Sequence, residues 1–545
     1  MKYLTGLICL FVAVACTPEG TPDRRLSDVR DLAEARYGGN APGGAILVME
    51  RGTVLMSEGF GLADLEWQQP AGADTTFRIG SISKIFAAIA LLQLAEAGEV
   101  ELDAPLGTYL DDLPESLAQP TLRQVLSHTS GLGDHFSLPV IPEIMRNPIT
   151  PEGITALMAD QTLMFEPGTR WGYSNFGYVL LGRVISAVDP ERREFGRYIE
   201  EELFTPLGMD DSHFDRQSAI IPRRARGYDL GPDGPVNTIT FDTSLADAAG
   251  ALMTSADDMA VFTHALLGGE LLSGDMQALA WTSVALPDGS DTQYGLGFNV
   301  SDFMGEQLIW HSGSINGFQA TWAYQPGTER AVAVFSNGYY RANTTDTLRR
   351  ILAIMAGRPA PEFTEQPFDE TQWADMQGRY RLDDGEVLQF HIQDGIRFNI
   401  GGGHWRELAH GGNGLFFSPD TLRHFVVSAD FASVTYVTTT LDRQDANRID
   451  GGIEGAQVSL PLNPQETAQV IGDWTLGSGD IVAITQQADQ LFLALPYQPP
   501  QRVFRAAPWE YFSRTAPISL QFTEGSPAAT LNLYGNEMML ERQGG

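Results

Sequence analysis

The chain has 545 residues, of which 43% are hydrophobic and 19% are charged, an ordinary composition for a globular protein. This length gives room for roughly three domains. The formal net charge of −34 repels phosphate backbones and anionic lipid, which argues against nucleic-acid binding.

The chain begins with a short apolar stretch from Leu4 to Val14, which follows one lysine and precedes small residues. This pattern is typical of a secretory signal peptide, predicted here over residues 1–15, and it is too short to span a membrane. The segment AVAC, ending at Cys16, fits either an ordinary cleavage site or a bacterial lipoprotein junction with a lipid on the cysteine. Both readings predict export from a bacterial cytoplasm, to the periplasm or to a lipid anchor in the membrane.

Strand-like and helical segments follow in blocks over residues 24–358, the predicted first domain. Strands lie at its two ends, as in GGAILVMERGTVLMSEGFG and ERAVAVFSNG, and helices such as GYVLLGRVISAV lie between them. This order predicts one antiparallel sheet covered by helices, an α/β sandwich of the α+β kind rather than a series of βαβ units.

Lys84 is the only lysine after residue 2, and it follows Ser81 by three residues at the head of an apolar run from Ile85 to Ala97. On a helix that passes through the core, the two side chains would share one face. Burial lowers the pKa of a lysine, and a helix N-terminus favours negative charge on the serine. The pair is interpreted as a nucleophile and its proton partner. The alternative is a serine cap beside a lysine that reaches solvent.

Two later segments place polar residues at the ends of predicted elements. FEPGTRWGYSNFGYVLLG puts Tyr173 and Asn175 at the start of a second apolar helix. LIWHSGSINGF puts His311 and Gly313 at the end of an apolar strand, followed by Ser314. Taken singly, such residues are common as core anchors, helix caps and turn formers. They indicate a functional site only because they follow the serine-lysine pair in this order.

A proline-rich, acidic joint, GRPAPEFTEQPFDE, precedes a region of short alternating strands. The segment GRYRLDDGEVLQFHIQDGIRFNI from Gly378 returns as GDWTLGSGDIVAITQQADQLFLAL from Gly472. Two copies 94 residues apart predict two small antiparallel β-barrels of about eight strands each, over 366–462 and 463–545.

In this order, the serine-x-x-lysine, tyrosine-x-asparagine and histidine-x-glycine motifs resemble the signature of the penicillin-recognising, β-lactamase-related serine hydrolases. The resemblance covers about Gly43 to Gly338 and is strengthened by HTSGL from His128. The D-aminopeptidases look closest, since they also carry a histidine in the third motif and two C-terminal eight-stranded β domains. The resemblance implies a β-lactamase/transpeptidase-like fold followed by two antiparallel β-barrels.

The resemblance also implies a role for each matched residue. Ser81 would be acylated, while Lys84 and Tyr173 would share the general-base work. The backbone N–H groups of Ser81 and Ser314 would form an oxyanion hole. The substrate would be bound by Asn175, His311, Gly313 and Ser314. A loop from one β-barrel would reach the cleft.

These observations predict a serine hydrolase that forms an acyl-enzyme on amide or peptide substrates, with a D-residue at the amino end as the preferred class. Two alternatives stay open: an esterase, weak β-lactamase or DD-peptidase of the same fold, and a non-catalytic protein that binds cell-wall peptide. The expected partner is a small peptide, amide or ester, and the oligomeric state is left open.

No metal or organic cofactor is expected, because His128 and His135 lack the H-E-x-x-H spacing and no cysteine follows Cys16. His128 is interpreted as a structural residue. A histidine at position 311 is mostly neutral at pH 7, which implies weak selection of a substrate carboxylate.

Overall fold

The computed structural model describes residues 23–543, apart from gaps at 232–233, 394, 402–404, 420, 454–458, 477–480, 488–489, 496–500, 514–517 and 534–535. The predicted signal peptide and Cys16 lie outside the described residues, so both stay predictions. Within the described part of the chain, no helix combines the length and hydropathy that a bilayer span requires.

A six-stranded antiparallel sheet organises the N-terminal domain. The first strand pairs with the last strand of the domain, in register from Gly44 opposite Ser336 to Glu50 opposite Arg330, and with the second strand on its other side. The predicted antiparallel sheet is therefore confirmed. Its strands, in spatial order, are Asn299–Phe303, Glu306–Ile315, Phe318–Gln325, Arg330–Ser336, Gly44–Glu50 and Thr53–Phe60.

The inner strand Gly44–Glu50 is buried on both faces of the sheet, to which its successive side chains point in turn. Ala45 and Leu47 belong to one apolar cluster, called here the front cluster. Ile46 and Val48 belong to a second one, the rear cluster. The sheet thus lies between two layers of helices, which is the sandwich predicted from the order of the elements.

The front helices Ser83–Glu96, Asn175–Val188 and Ala256–Leu267 contribute to the front cluster, and Arg24–Tyr37 and Thr344–Met355 contribute to the rear cluster. The other α-helices are short: Glu115–Ala118, Leu122–Leu126, Ile141–Ile144, Pro151–Leu157, Phe195–Ile199, Thr205–Leu207, Gly274–Ala280, Glu370–Trp373 and Pro464–Val470. Small sheets join Leu62–Asp64 to Gln69–Pro70, Tyr228–Gly231 to Gly234–Asn237, and Leu252–Thr254 to both Phe77–Arg78 and His213–Phe214.

The C-terminal region forms two closed eight-stranded antiparallel barrels, which confirms the second part of the fold prediction. The first consists of Gly378–Leu382, Val387–Ile392, Ile396–Ile400, Arg406–Gly412, Leu415–Phe417, His424–Val427, Ser433–Val437 and Arg443–Ile449. The second consists of Gly472–Leu476, Ile481–Gln487, Gln490–Ala494, Gln501–Ala507, Glu510–Ser513, Ile518–Phe522, Ala528–Leu533 and Asn536–Arg542. The domain limits inferred from the sequence stay predictions.

The sequence repeat has a physical counterpart at the closure of each barrel. Tyr380 of the first strand pairs with Arg448 of the last strand in one barrel, and Trp474 pairs with Arg542 in the other. In both barrels the guanidinium lies over the buried ring, 5.7 Å and 5.8 Å from its centre. The same cation–π contact therefore joins the first and last strands of both barrels.

The first barrel contacts the rear of the N-terminal domain. Leu422 is 3% exposed and packs in the rear cluster, with Leu441 beside it. In the joint, Phe363 packs against Phe417 and His424, with ring centroids 5.3 Å and 4.8 Å apart. Apolar contact on the side of the sheet opposite the front cluster thus attaches the barrel.

We expect Leu422→Ala to lower the free energy of unfolding by about 2–4 kcal/mol, because it removes a fully buried side chain and leaves a cavity. The matched control is Val426→Ala, since Val426 is 44% exposed on the same barrel. Calorimetric melting of both variants checks the prediction. Equal midpoints for the two variants would show that this contact does not stabilise the junction.

Candidate active site

Ser81 lies in a 3₁₀ turn, Gly80–Ile82, that leads directly into the helix Ser83–Glu96. The side chain is half-buried, whereas the turn around it is held from inside. Ser83 Oγ donates to the Gly80 carbonyl at 2.7 Å and accepts the Leu252 N–H at 3.0 Å. The serine thus precedes the helix by two residues instead of forming its first residue, and its position is fixed by neighbouring backbone.

Lys84 is 0% exposed and lies beside Ser81, as the spacing of three residues predicts. Its Nζ is 3.1 Å from Ser81 Oγ. It also donates to Asn175 Oδ1 at 2.7 Å and to the Ala249 carbonyl at 2.8 Å. The alternative of a lysine that reaches solvent is therefore wrong, because the ammonium group is enclosed by three polar partners.

Burial lowers the pKa of Lys84 from its ordinary value of 10.5 to about 7, against the opposing attraction of the Asp134 carboxylate. At neutral pH the neutral amine and the ammonium ion are therefore both populated. A neutral amine can accept a proton, so Lys84 has the affinity that a general base at pH 7 needs.

The second motif brings Tyr173 and Asn175 to the same point. Ser174 caps the helix Asn175–Val188 by accepting the Gly177 N–H, which fixes where the helix begins. Ser81 interacts with the Tyr173 hydroxyl, and the Tyr173 ring centre is 4.9 Å from Lys84 Nζ. Burial raises the pKa of Tyr173, so the phenol keeps its proton at neutral pH and acts as a donor.

The third motif lies on the strand Glu306–Ile315, which runs against the Ser81 turn. If Gly313 were replaced by a residue with a Cβ atom, that atom would clash with the turn, at 1.8 Å from the Ile79 carbonyl oxygen and 2.9 Å from the Ser81 nitrogen. On the other side, a Cβ on Gly80 would lie 2.8 Å from the Ser314 nitrogen. The two glycines therefore allow the strand and the turn to touch, and this contact brings together the two N–H groups predicted to form the oxyanion hole.

His311 is 3% exposed, and its ring is held from both ends. Nε2 is 3.0 Å from the Tyr294 hydroxyl, and Nδ1 is 2.6 Å from the Ser312 carbonyl oxygen. Burial and the nearby Lys84 lower the pKa of His311 to about 3. The imidazole is thus neutral at pH 7, so it offers no standing charge to a carboxylate.

His128, interpreted from the sequence as structural, supports the second motif. Its Nδ1 accepts the Ser174 N–H at 3.2 Å, and its ring lies 4.3 Å from the Tyr173 ring and 4.8 Å from the Tyr294 ring. Burial lowers its pKa well below the ordinary value. A neutral ring in this place packs against Tyr173 and holds its orientation.

A cavity of about 370 Å³ opens beside Ser81. Most of its wall is apolar, and none of the described residues that line it has a charged side chain. Its lining residues are Gly80, Ser81, Phe136, Ile141, Met145, Asn175, Phe241, Ala246, Ala249, Gly250, Ser314, Ile315 and Asn316. The cavity suits a neutral or apolar group next to the serine.

All the lining residues come from the N-terminal domain, and His311 is not among them. The expectations that His311 binds the substrate and that a β-barrel loop reaches the cleft stay predictions. Several barrel segments, such as 454–458 and 496–500, lie outside the described residues.

Sequence reasoning missed three neighbours of the site. Asp134 binds Asn175, the Ala249 carbonyl binds Lys84, and Tyr294 binds His311. Asp134 lies two residues after HTSGL, so the motif could have drawn attention to it. The other two have no spacing signal, because they approach from distant parts of the chain.

Comparison with known proteins identifies the family. The family described as Beta-lactamase matches residues 29–356. The chain belongs to the beta-lactamase family. The predicted resemblance to β-lactamase-related serine hydrolases is thereby confirmed for the N-terminal domain.

Two curated relatives of this beta-lactamase-family protein carry different kinds of name. D-aminopeptidase of Gluconobacter oxydans is 27% identical over 350 residues, covering 63% of this chain and 64% of the relative. Penicillin-binding protein 4* of Bacillus subtilis is 24% identical over 374 residues, covering 64% of this chain and 81% of the relative. The match thus spans slightly under two thirds of the D-aminopeptidase and most of the penicillin-binding protein.

Solved structures confirm the fold of this beta-lactamase-family protein. The octameric penicillin-binding protein homologue from Pyrococcus abyssi superposes with a TM-score of 0.56 at 24% identity, covering 78% of this chain and 99% of that one. The D-stereospecific amidohydrolase from a Streptomyces species gives 0.51 at 25% identity, covering 61% and 98%.

We expect Gly313→Ala to slow acylation of Ser81 by roughly 100-fold, since the new Cβ must push the strand off the turn and a shift of about 1 Å misplaces the reacting groups. Gly274→Ala is the control, because a Cβ there meets nothing within 4 Å. Labelling rates with a fluorescent phosphonate measure the effect. If both variants react like the unchanged protein, the contact between strand and turn does not shape the site.

Proposed function

We propose that this protein is a serine hydrolase that forms an acyl-enzyme at Ser81 with Lys84 as the general base. The observation that carries the proposal is the set of three partners around Lys84 Nζ. Asn175 Oδ1 and the Ala249 carbonyl can only accept hydrogen bonds, so they take the two N–H groups of a neutral amine. The remaining lone pair then faces Ser81 Oγ, whose hydroxyl can donate.

In this scheme the proton of the Ser81 hydroxyl moves to Lys84 as Oγ bonds to the substrate carbonyl carbon. The backbone N–H groups of Ser81 and Ser314 stabilise the oxyanion. The Tyr173 hydroxyl, whose ring lies beside Lys84, passes a proton to the leaving group, and Lys84 replaces that proton. Water then attacks the ester with Lys84 again as the base. The bond between the acyl carbon and Oγ breaks, Lys84 returns the proton to Ser81 Oγ, and the free acid leaves.

The proposed substrates are short amides or peptides with a D-residue at the amino end. The apolar cavity beside Ser81 favours an uncharged or aromatic side chain, and a neutral His311 does not favour a substrate carboxylate. Two relatives at 27% and 28% identity are named D-aminopeptidase, which supports the same class. An esterase, weak β-lactamase or DD-peptidase activity, or binding of cell-wall peptide without turnover, would be the competing outcomes.

We further propose that the protein is exported, to the periplasm or to the membrane through a lipid on Cys16. Its acidic surface, with a net charge of −34, favours small-molecule substrates over nucleic acid. A location in the periplasm or at the membrane fits a hydrolase of peptides that carry D-residues.

We predict that Ser81→Ala abolishes covalent labelling by a phosphonate or a fluorescent penicillin. Lys84→Arg should lower the labelling rate by roughly 10²- to 10⁴-fold, because arginine keeps its proton and removes general-base catalysis. Mass spectrometry of the labelled peptide locates the adduct, and circular dichroism shows that both variants fold. Near-normal labelling of Lys84→Arg would contradict the base assignment.

We also predict that D-phenylalanine p-nitroanilide is hydrolysed at least about 10-fold faster than the L-form, a ratio within reach of differential transition-state binding. A p-nitrophenyl ester and nitrocefin complete the panel, and Ser81→Ala gives the background rate. Faster turnover of the ester or of nitrocefin would favour the other hydrolase activities. Labelling without turnover of any substrate would favour the binding protein.

A further inference from the structure

Asp134 lies just beyond the proton-transfer groups of the proposed site, and both of its carboxylate oxygens are engaged. Oδ1 accepts the Phe136 N–H at 3.0 Å and so caps the 3₁₀ turn His135–Ser137. Oδ2 accepts from Asn175 Nδ2 at 2.7 Å and from the Asn175 backbone N–H at 3.4 Å. The side chain is 26% exposed, so it lies at the boundary between core and solvent.

The contact with Asn175 decides which end of the amide faces Lys84. The two ends have nearly the same shape but opposite roles, because Oδ1 accepts hydrogen bonds and Nδ2 donates them. An ionised carboxylate only accepts, so Nδ2 must face Asp134 and Oδ1 must face Lys84. A flipped amide would aim a donor at Nζ and occupy the lone pair that the serine proton needs.

We propose that Asp134 is a positioning residue that fixes the direction of the hydrogen-bond chain Asp134–Asn175–Lys84–Ser81. This inference rests on the proposed function, since it concerns how the general base is kept ready. It goes beyond the three motifs, because Asp134 belongs to none of them and touches neither Ser81 nor Lys84 in the hydrogen-bond pattern.

The carboxylate also acts on Lys84 through its charge. Its attraction raises the pKa of Lys84 and so opposes the lowering caused by burial. The other titratable groups around the lysine are uncharged at pH 7. Tyr173 and Tyr178 keep their protons, because burial raises their pKa values, and His128 and His311 are neutral, because burial lowers theirs. His135, next to Asp134, has its pKa lowered by burial. Removing the Asp134 charge should therefore lower the pKa of Lys84.

The test is Asp134→Asn, which keeps the size of the side chain and one oxygen to cap Phe136. Its NH₂ group would then face Asn175 and force the amide to flip. We expect acylation to slow by roughly 10- to 100-fold, the usual effect of losing one hydrogen bond to a charged group. The acylation rate falls on the acidic side of its pH profile as Lys84 becomes protonated; this part of the profile is called here the acid limb. It should move to lower pH, since neutral Lys84 then persists to lower pH.

The matched control is Asp103→Asn, because Asp103 is an exposed carboxylate whose ion pair with Arg123 lies on the surface. It should leave both the rate and the acid limb unchanged. A loss of stability alone would lower the rate of Asp134→Asn without moving the limb, and would overturn the proposal. An unchanged rate and an unchanged limb would also overturn it.

A double-variant cycle tests the route through Asn175. If Asp134 acts by orienting the amide, Asp134→Asn should lower the rate little further in an Asn175→Ala background. Losses that multiply would contradict the proposal, as would a loss confined to substrates with a free amino group, which would make Asp134 a substrate ligand. Failure of the unchanged protein to become labelled at Ser81 would instead refute the proposed function itself.

Discussion

The desolvation of Lys84 is the constraint on which the rest of the proposed site depends. Folding places this side chain at 0% exposure and lowers its pKa from 10.5 to about 7. Since one pKa unit corresponds to about 1.4 kcal/mol, burial of the lysine costs the fold several kcal/mol near neutral pH. Between these two pKa values the unfolded chain binds a proton that the folded chain lacks, so this cost declines as the pH rises. The large apolar core offsets it.

Three separate parts of the chain must meet for that buried amine to act on a serine. The helix Ser83–Glu96 carries the lysine, the helix Asn175–Val188 carries one of its acceptors, and the strand Glu306–Ile315 runs against the serine turn. The strand can approach only because Gly80 and Gly313 lack side chains there. Packing of the front helices on the sheet therefore stabilises the fold and also sets the distances between the reacting groups, which are far apart in sequence.

Local patterns predicted much of this arrangement. The spacing of three residues predicts that Ser81 and Lys84 lie side by side. The barrel strands Val387–Ile392 and Ile396–Ile400 coincide with the alternating segments VLQFHI and IRFNI. The Ala249 carbonyl could not be predicted, because it comes from 165 residues further along the chain and any residue type has a carbonyl. The apolar cavity was also missed, since its wall is assembled from short helices and loops without a periodic pattern.

The central claim is that Lys84 is a base with a pKa near neutrality, and the composition makes it directly measurable. Lys2 is the only other lysine, so protein grown with ¹³Cε-labelled lysine gives at most two lysine signals in a carbon-proton NMR spectrum. Titration of the full chain, with Lys84→Met to assign the signal, reports the proton affinity of this one amine. The account predicts a midpoint near pH 7. A midpoint near 10.5, the ordinary value for lysine, would contradict it.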